Sequence, residues 1–541
     1  MPSHRVRAVP PADCADRVAV ARDVETLAGF LEDAAHYPGG HAAGVAQPRS
    51  DLEVAALVRQ ARRVLPVGAQ SSLTGGATPM GEVVVSTRRL DRILRVGAGE
   101  VTVQAGVPLT ALREALAQRN AYYPPAPTFE GACAGGVAAT NAAGAATFKH
   151  GTTRRWIRGL RVVLADGCRL DLRRGDYRAH PDGYFELHAP DGVRRVPIPG
   201  YRMPDVPKVS AGYFAEPEMD LVDLFIGSEG TLGVITEVTC GLVSPRPALC
   251  LVWLPLPDVG AALSLVAALR REAEATWRSA DPRGLDVSAV EMLDRRSLEL
   301  VRDDGADRTH GVPLPREAAV ALLVQVELPP GTLAAPSAAY EQIGAALEPA
   351  APDTPLVRLC RLLAQAGALD RAEIALPGDR RRQAQLFAVR EAVPEAVNRR
   401  VGTAQRTVDA RIGKTAADMI VPFPHFTDSL RIFRDAFEQR GLDYAVWGHV
   451  SDGNVHPNVI PRSLQDVEAG REAILACGRE VIRLGGCPLA EHGVGRNPVK
   501  QALLRELYGA PGIEQMRRVK AALDPEGKLA PDVLFPAAPG A

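Results

Sequence analysis

Pro66-Val67-Gly68-Ala69-Gln70-Ser71-Ser72-Leu73-Thr74-Gly75-Gly76 is the stretch whose reading decides the fold. Apolar runs at residues 64–67 and 83–86 predict short strands on either side of it, and Val54, Leu57 and Val58 share a stripe of a helix over residues 52–62. Glycine, serine and threonine between two strands let successive backbone N–H groups face a phosphate without side-chain obstruction. The loop lacks Gly-Lys-Ser/Thr, so it is not a Walker loop.

Two more loops of this kind follow. One runs from Pro124-Pro125-Ala126-Pro127-Thr128 through Gly131 to Gly144 and ends at Lys149-His150-Gly151; the other is Gly227-Ser228-Glu229-Gly230-Thr231-Leu232-Gly233-Val234-Ile235-Thr236. Neither has the spacing of the Rossmann fingerprint. Three such loops, each beside a strand, point to a nucleotide-sized cofactor. Further strands are predicted at residues 100–105, 157–164 and 221–226, with a helix at 108–118. Residues 172–220, rich in proline, glycine and tyrosine, read as a surface excursion. After residue 245 strands at 249–254 and 319–327 alternate with helices such as 258–274, capped by Asp258, which marks a second domain; residues 329–356 read as loop and linker.

A length of 541 residues suggests three to four folding units, or two if they are large. With 46% hydrophobic residues and a net charge of −1, the chain can bury a sizeable core and has no charge excess for a polyanion, so nucleic acid is excluded as a first reading. The eight cysteines contain no C-x-x-C pair, which fits a reducing compartment better than a disulfide framework. No apolar run has the length of a membrane span, and Arg5, Arg7 and Asp13 sit where a signal peptide would need an apolar core. A cytoplasmic protein is expected, with peripheral attachment to the inner membrane left open.

A second informative stretch is Val446-Trp447-Gly448-His449-Val450-Ser451-Asp452-Gly453-Asn454-Val455-His456-Pro457-Asn458-Val459. Read as a hairpin with a two-residue Asp452-Gly453 turn, it pairs His449 with His456 and Gly448 with Pro457, and puts Pro457 on an edge strand. Cross-strand Cβ atoms lie about 5 Å apart, close enough for one divalent cation to be held by both rings. Asn458 falls on the same face. A third ligand is needed, and Ala490-Glu491-His492-Gly493-Val494-Gly495-Arg496 offers a carboxylate.

The loop at 66–76, Gly135-Gly136-Val137-Ala138-Ala139-Thr140-Asn141-Ala142-Ala143-Gly144, Gly227 to Thr236, the His449–His456 segment and Ala490 to Gly495 together resemble the FAD-linked oxidases of the vanillyl-alcohol oxidase type. The branch is that of D-lactate dehydrogenase, the glycolate oxidase flavin subunit and D-2-hydroxyglutarate dehydrogenase. The resemblance implies an α+β chain: an N-terminal segment (1–45), a two-subdomain FAD-binding domain (46–245), a cap on an antiparallel sheet (246–485) and a C-terminal return to the FAD domain (486–541). It places the loop at 68–76, with Gly68, Ala69, Gln70, Ser71, Ser72, Thr74 and Gly75, and the segment at 131–144, with Gly135, Gly136, Ala139, Thr140, Asn141 and Gly144, around the pyrophosphate, and Glu229, Gly230, Gly233 and Ile235 along the flavin and ribityl chain; Pro66, Pro127 and Thr128 join the cofactor-binding set. Residues 68–72 contain no histidine for a covalent tether, so noncovalent FAD is expected.

The same resemblance makes His449, His456 and Glu491 ligands of a divalent metal, zinc first, with manganese, iron or cobalt also suited. His492 stands where the family has its base. Arg390, in Leu386-Phe387-Ala388-Val389-Arg390-Glu391, matches the arginine that clamps the substrate carboxylate, one turn after Leu386 and four residues before a helix-interrupting proline. Lys414 is a second such candidate, and Asn458 joins the catalytic set. The turn through Gly493 and Gly495 is expected to aim Glu491 at the metal and His492 at substrate. Pro394 replaces a hydroxyl residue of the hydroxyglutarate members, which favours a lactate-like substrate. The implied activity is oxidation of a D-2-hydroxy acid to the 2-oxo acid with an unidentified electron acceptor. Glycolate or D-2-hydroxyglutarate oxidation, or non-redox ether-lipid synthesis on the same flavin fold, are the alternatives. A homodimer is compatible with the sequence.

Overall fold

The computed structural model describes residues 2–11, 18–125, 129–329 and 336–536. The expected cofactor residues Pro127 and Thr128 lie outside the described residues. The chain divides into two compact units: Met1–Gly144, Gly151–Ser244 and Gly485–Ala541 form the first, Ala145–His150 and Pro245–Leu484 the second.

The first unit carries three sheets. Val64–Val67 pairs in parallel with Val83–Ser86, which pairs in parallel with Gly44–Ala46, and Val20–Ala21 closes that sheet. The second sheet is antiparallel, in the order Ile93–Val96, Glu100–Gln104, Val234–Gly241, Ile157–Val163, Arg169–Arg173. Between the two lies one apolar cluster, in which Val54, Leu57, Val58, Val64 and Val85 meet Val163, Val234 and Leu529. The stripe expected for the helix Asp51–Gln60 is therefore its buried face, and Ser50 caps it by accepting the Glu53 N–H. The C-terminal segment returns to this unit: Val64 donates to the Lys528 carbonyl and Ala530 to the Val64 carbonyl, at 2.9 and 2.8 Å.

Three expectations are corrected here. Residues 221–226 are not a strand; Leu221–Phe225 is a short, wholly buried helix started by Asp220, whose carboxylate accepts the Val222 N–H. A short all-apolar run has no periodicity to separate strand from buried helix, and the cap decides. The excursion at 172–220 contains the hairpin Tyr184–Ala189 and Gly192–Pro197, paired with Arg5–Arg7 in the third sheet. In the second unit, the linker expected at 329–356 holds the helix Pro336–Gly344.

The second unit is built on an eight-stranded antiparallel sheet. Its order is Glu373–Ala375, Ala248–Leu256, Val320–Leu328, Val287–Asp294, Tyr444–His449, Asn454–Val459, Thr415–Ala416, with Met419–Ile420 also paired to Asn454–Val459. The helices Arg295–Asp303 and Arg380–Thr407 pack on one face against Trp253, Leu293, Leu323, Ala445 and Trp447. Pro394 does not interrupt its helix, which continues through it to Thr407. The missing N–H is the one that would bond the Arg390 carbonyl, so the cost falls on the turn that carries Arg390.

Candidate active site

The hairpin has the expected strands in a different register. Val450–Asp452 forms a 3-10 turn and Gly453, at φ +88°, donates to the Val450 carbonyl, so the loop has four residues rather than two. His449 pairs with Asn454, Trp447 with His456 and Val446 with Pro457. A shift of two residues keeps every side chain on its face, so His449 and His456 still share one. Their ring centroids are 5.4 Å apart with the planes nearly perpendicular, at 87°. A Cβ on Gly453 would lie 2.2 Å from the Val421 carbonyl oxygen, so the turn admits only glycine.

Pro457 is not on an edge strand, because Asn454–Val459 is paired on both sides. The neighbouring strand is instead broken between Ala416 and Met419, where Ala417 donates to the Pro457 carbonyl at 2.8 Å and Pro457 has no N–H to return. Asp418 sits in that break. Its Oδ1 accepts the Asn454 amide at 3.0 Å and lies 3.4 Å from His456 Nδ1.

Alternation along these strands puts Glu291, His449, Asn454, His456, Asn458 and Asp418 on the face that carries Leu293, Ala445 and Trp447. One end of that face is apolar core and the other is polar and still buried. Lys414, half-buried, precedes Thr415–Ala416 and falls on the same face by alternation. Asn458 is 2% exposed; its amide donates to the His456 carbonyl, and its Oδ1 has no hydrogen-bond partner among the described residues. A buried acceptor in that state is suited to a donor or cation from outside the chain.

Glu291 was not singled out by the sequence. It stands directly opposite His449, with Oε1 bonded to His449 Nδ1 and Oε2 accepting from Arg390 Nε at 2.8 Å. Arg390 also donates to Glu391, at 2.9 Å. Burial alone would push the Glu291 carboxyl up, but the Arg390 guanidinium and the His449 imidazole outweigh it and hold the group well below the usual carboxylate range. Both histidines thus have a carboxylate near Nδ1, an arrangement that in metal sites fixes the tautomer so that Nε2 faces the ion.

In the first unit the glycine-rich segments converge. Gly227 and Glu229 donate to the carbonyls of Ala138 and Ala139, and Arg496 donates to that of Thr74. The Glu229 carboxylate, assigned by sequence to the cofactor, accepts the N–H groups of Val494 and Gly495 at 2.8 Å each. Gln70, another expected cofactor residue, spends its side-chain amide on the carbonyls of Phe30 and Glu32. The backbone N–H groups of Ala69, Gln70, Ser71 and Ser72 have no acceptor among the described residues. That row of donors fits a phosphate-bearing cofactor.

Glu491 and His492 lie side by side. His492 Nε2 lies 3.5 Å from Glu491 Oε1, while Glu491 Oε2 accepts from Lys208 Nζ at 2.9 Å. The left-handed turn at Gly495, φ +58°, folds the segment back under Thr74, and a Cβ there would lie 2.3 Å from the Thr74 carbonyl oxygen. Lys208, one of six lysines in an arginine-rich chain, is completely buried.

Comparison with known proteins adds an independent line. Residues 254–534 match the family described as "FAD linked oxidases, C-terminal domain", and residues 42–173 match "FAD binding domain". A D-2-hydroxyglutarate dehydrogenase of Xanthomonas citri pv. viticola is 29% identical over 506 residues, covering 91% of this chain and 89% of the relative. A D-lactate dehydrogenase of Archaeoglobus fulgidus is 26% identical, covering 90% of each chain. Among solved structures, 4-ethylphenol oxidase from Gulosibacter chungangensis superposes with a TM-score of 0.61 at 17% identity, covering 96% of this chain and 94% of the other, a likeness of fold.

Proposed function

Because the chain belongs to the FAD-linked oxidases, with a fold of the vanillyl-alcohol oxidase type, we propose that it oxidises a D-2-hydroxy acid, D-lactate or a close analogue, to the 2-oxo acid. The observation that carries the reading is the buried polar end of the second unit's sheet, where two imidazoles, an orphaned amide oxygen and a guanidinium share one face. Such a face suits a small anion with a hydroxyl group. Two relatives that cover about nine-tenths of the chain are named for D-2-hydroxy acids, which supports the same substrate class.

Bound noncovalently in the first unit, FAD would supply the hydride acceptor, and a divalent metal, zinc first, would lower the pKa of the substrate hydroxyl. We keep His449, His456 and Glu491 as its ligands, with His492 as the base that takes the hydroxyl proton. Arg390 and Lys414 supply positive charge for the substrate carboxylate, and the Asn458 oxygen accepts from the substrate. In the first unit, Lys208 and His492 both neighbour the Glu491 carboxylate, which fixes the orientation of that group.

Anaerobic addition of D-lactate, D-2-hydroxyglutarate or glycolate to the holoprotein tests the proposal by absorbance near the flavin maximum. D-lactate is expected to bleach the flavin fastest. Bleaching by none of them would favour a reaction in which the flavin returns unchanged.

A further inference from the structure

Between two of the residues assigned above stands one that the assignment did not use. We propose that Glu291 is a positioning residue that serves the metal-binding imidazole of His449 and the guanidinium of Arg390 at once, so that metal affinity and the grip on the substrate carboxylate share one side chain. The inference rests on the reading given under Proposed function.

The register of Val287–Asp294 against Tyr444–His449 puts Glu291 opposite His449, and it is 2% exposed in a strand whose other residues up to Leu293 are all buried. A carboxylate in such a strand is costly unless it is paired on both oxygens. Here the two oxygens are divided, Oε1 to His449 Nδ1 and Oε2 to Arg390 Nε at 2.8 Å. Accepting at Nδ1 puts the ring proton there and directs the Nε2 lone pair outward, the state a cation needs. Accepting at Nε fixes the guanidinium plane about its stem, so the direction of the remaining N–H groups is set by the same carboxylate. Arg390 is anchored again by Glu391 at 2.9 Å and sits on the helical turn weakened by Pro394, so the Glu291 contact at Nε adds a second fixed point to a side chain on a weakened turn.

The variant Glu291→Gln keeps the shape and removes the charge. Four quantities are read on the FAD-loaded protein: flavin per chain, Zn2+ affinity by equilibrium dialysis against a competing chelator, and KM and kcat at saturating Zn2+ for the 2-hydroxy acid that bleaches the flavin fastest. The flavin ratio is expected to stay unchanged, Zn2+ affinity to fall about 10- to 100-fold, and KM to rise about tenfold or more with a smaller fall in kcat. Glu291→Asp, which keeps the charge on a shorter stem, is expected to recover part of the Zn2+ affinity. Unaltered Zn2+ affinity and KM in Glu291→Gln overturn the proposal; if that variant does not fold, the same result in Glu291→Asp does so. An unaltered chain that takes up no metal fails the functional reading and the proposal with it, whereas metal uptake that is indifferent to residue 291 overturns the proposal alone.

Discussion

Val494 and Gly495 close on the Glu229 carboxylate with two N–H groups, and burial still dominates that carboxyl, pushing it to about 7 against the pull of those bonds and of the Lys500 ammonium. A folded-state pKa raised above the unfolded one means the protonated form is favoured on folding. The contribution is complete below pH 4.5 and is lost as pH rises through about 7. Glu229→Gln, which imitates the protonated acid, should remove this dependence. The melting temperature of the unaltered chain relative to the variant is therefore expected to fall between pH 5 and 8, with the stability difference changing by at most about 1.4 kcal/mol per pH unit; a constant difference across that range would show that the carboxyl titrates at its ordinary value. Residues of this kind mark the limit of sequence reading. Glu491 and His492 were legible because they are neighbours in a short glycine-bounded segment. Lys208, 283 positions from Glu491, and Glu291, 158 positions from His449, carry no local pattern that names their partners.

At the scale of the element, the helix Arg380–Thr407 tolerates a proline at its centre. Proline in a helix interior removes one backbone bond and crowds the carbonyl four residues back, here that of Arg390, at about 3 kcal/mol in an unconstrained helix. Pro394→Ala should raise the thermal midpoint by an amount within that bound and increase amide protection at residues 390–394 in hydrogen exchange. An unchanged midpoint would mean that packing of Val389, Val393 and Val397 has already absorbed the defect. Elements with strong periodicity and a cap were readable: the helix Val259–Ser279 starts at Asp258, whose carboxylate accepts the Ala261 N–H at 2.6 Å. A run without periodicity was misread even with a cap in place, as at Leu221–Phe225, which Asp220 caps. The hairpin stands between the two cases. Its face was legible because side-chain alternation survives an even shift, and its register was not, because Asp-Gly serves a four-residue loop as well as a two-residue one.

Taken whole, the chain divides its candidate site residues between its units: the glycine-rich loops and the Glu491–His492 pair belong to the first, the histidine face with Arg390 and Lys414 to the second. The change of style near residue 245 was legible because an antiparallel sheet with long amphipathic helices replaces the loops of the first unit. That Ala145–His150 goes with the second unit was not, since it depends on Lys149 meeting Asp286 and Glu327 at 2.6 and 2.5 Å. The first unit leaves the N–H groups of residues 69–72 without acceptors among the described residues, so a ligand that accepts from them would add to its stability. A ligand that binds only the folded chain stabilises it by RT ln(1 + [L]/Kd), about 2.7 kcal/mol at a hundredfold excess over Kd. Gly68-Ala69-Gln70-Ser71-Ser72 offers no histidine for a covalent bond to the flavin. Acid precipitation of the holoprotein should therefore leave yellow FAD in the supernatant. Chain stripped of flavin under milder conditions should melt lower, and its midpoint should climb with added FAD. A precipitate that keeps its colour, or a midpoint indifferent to FAD, would place the source of that stability elsewhere.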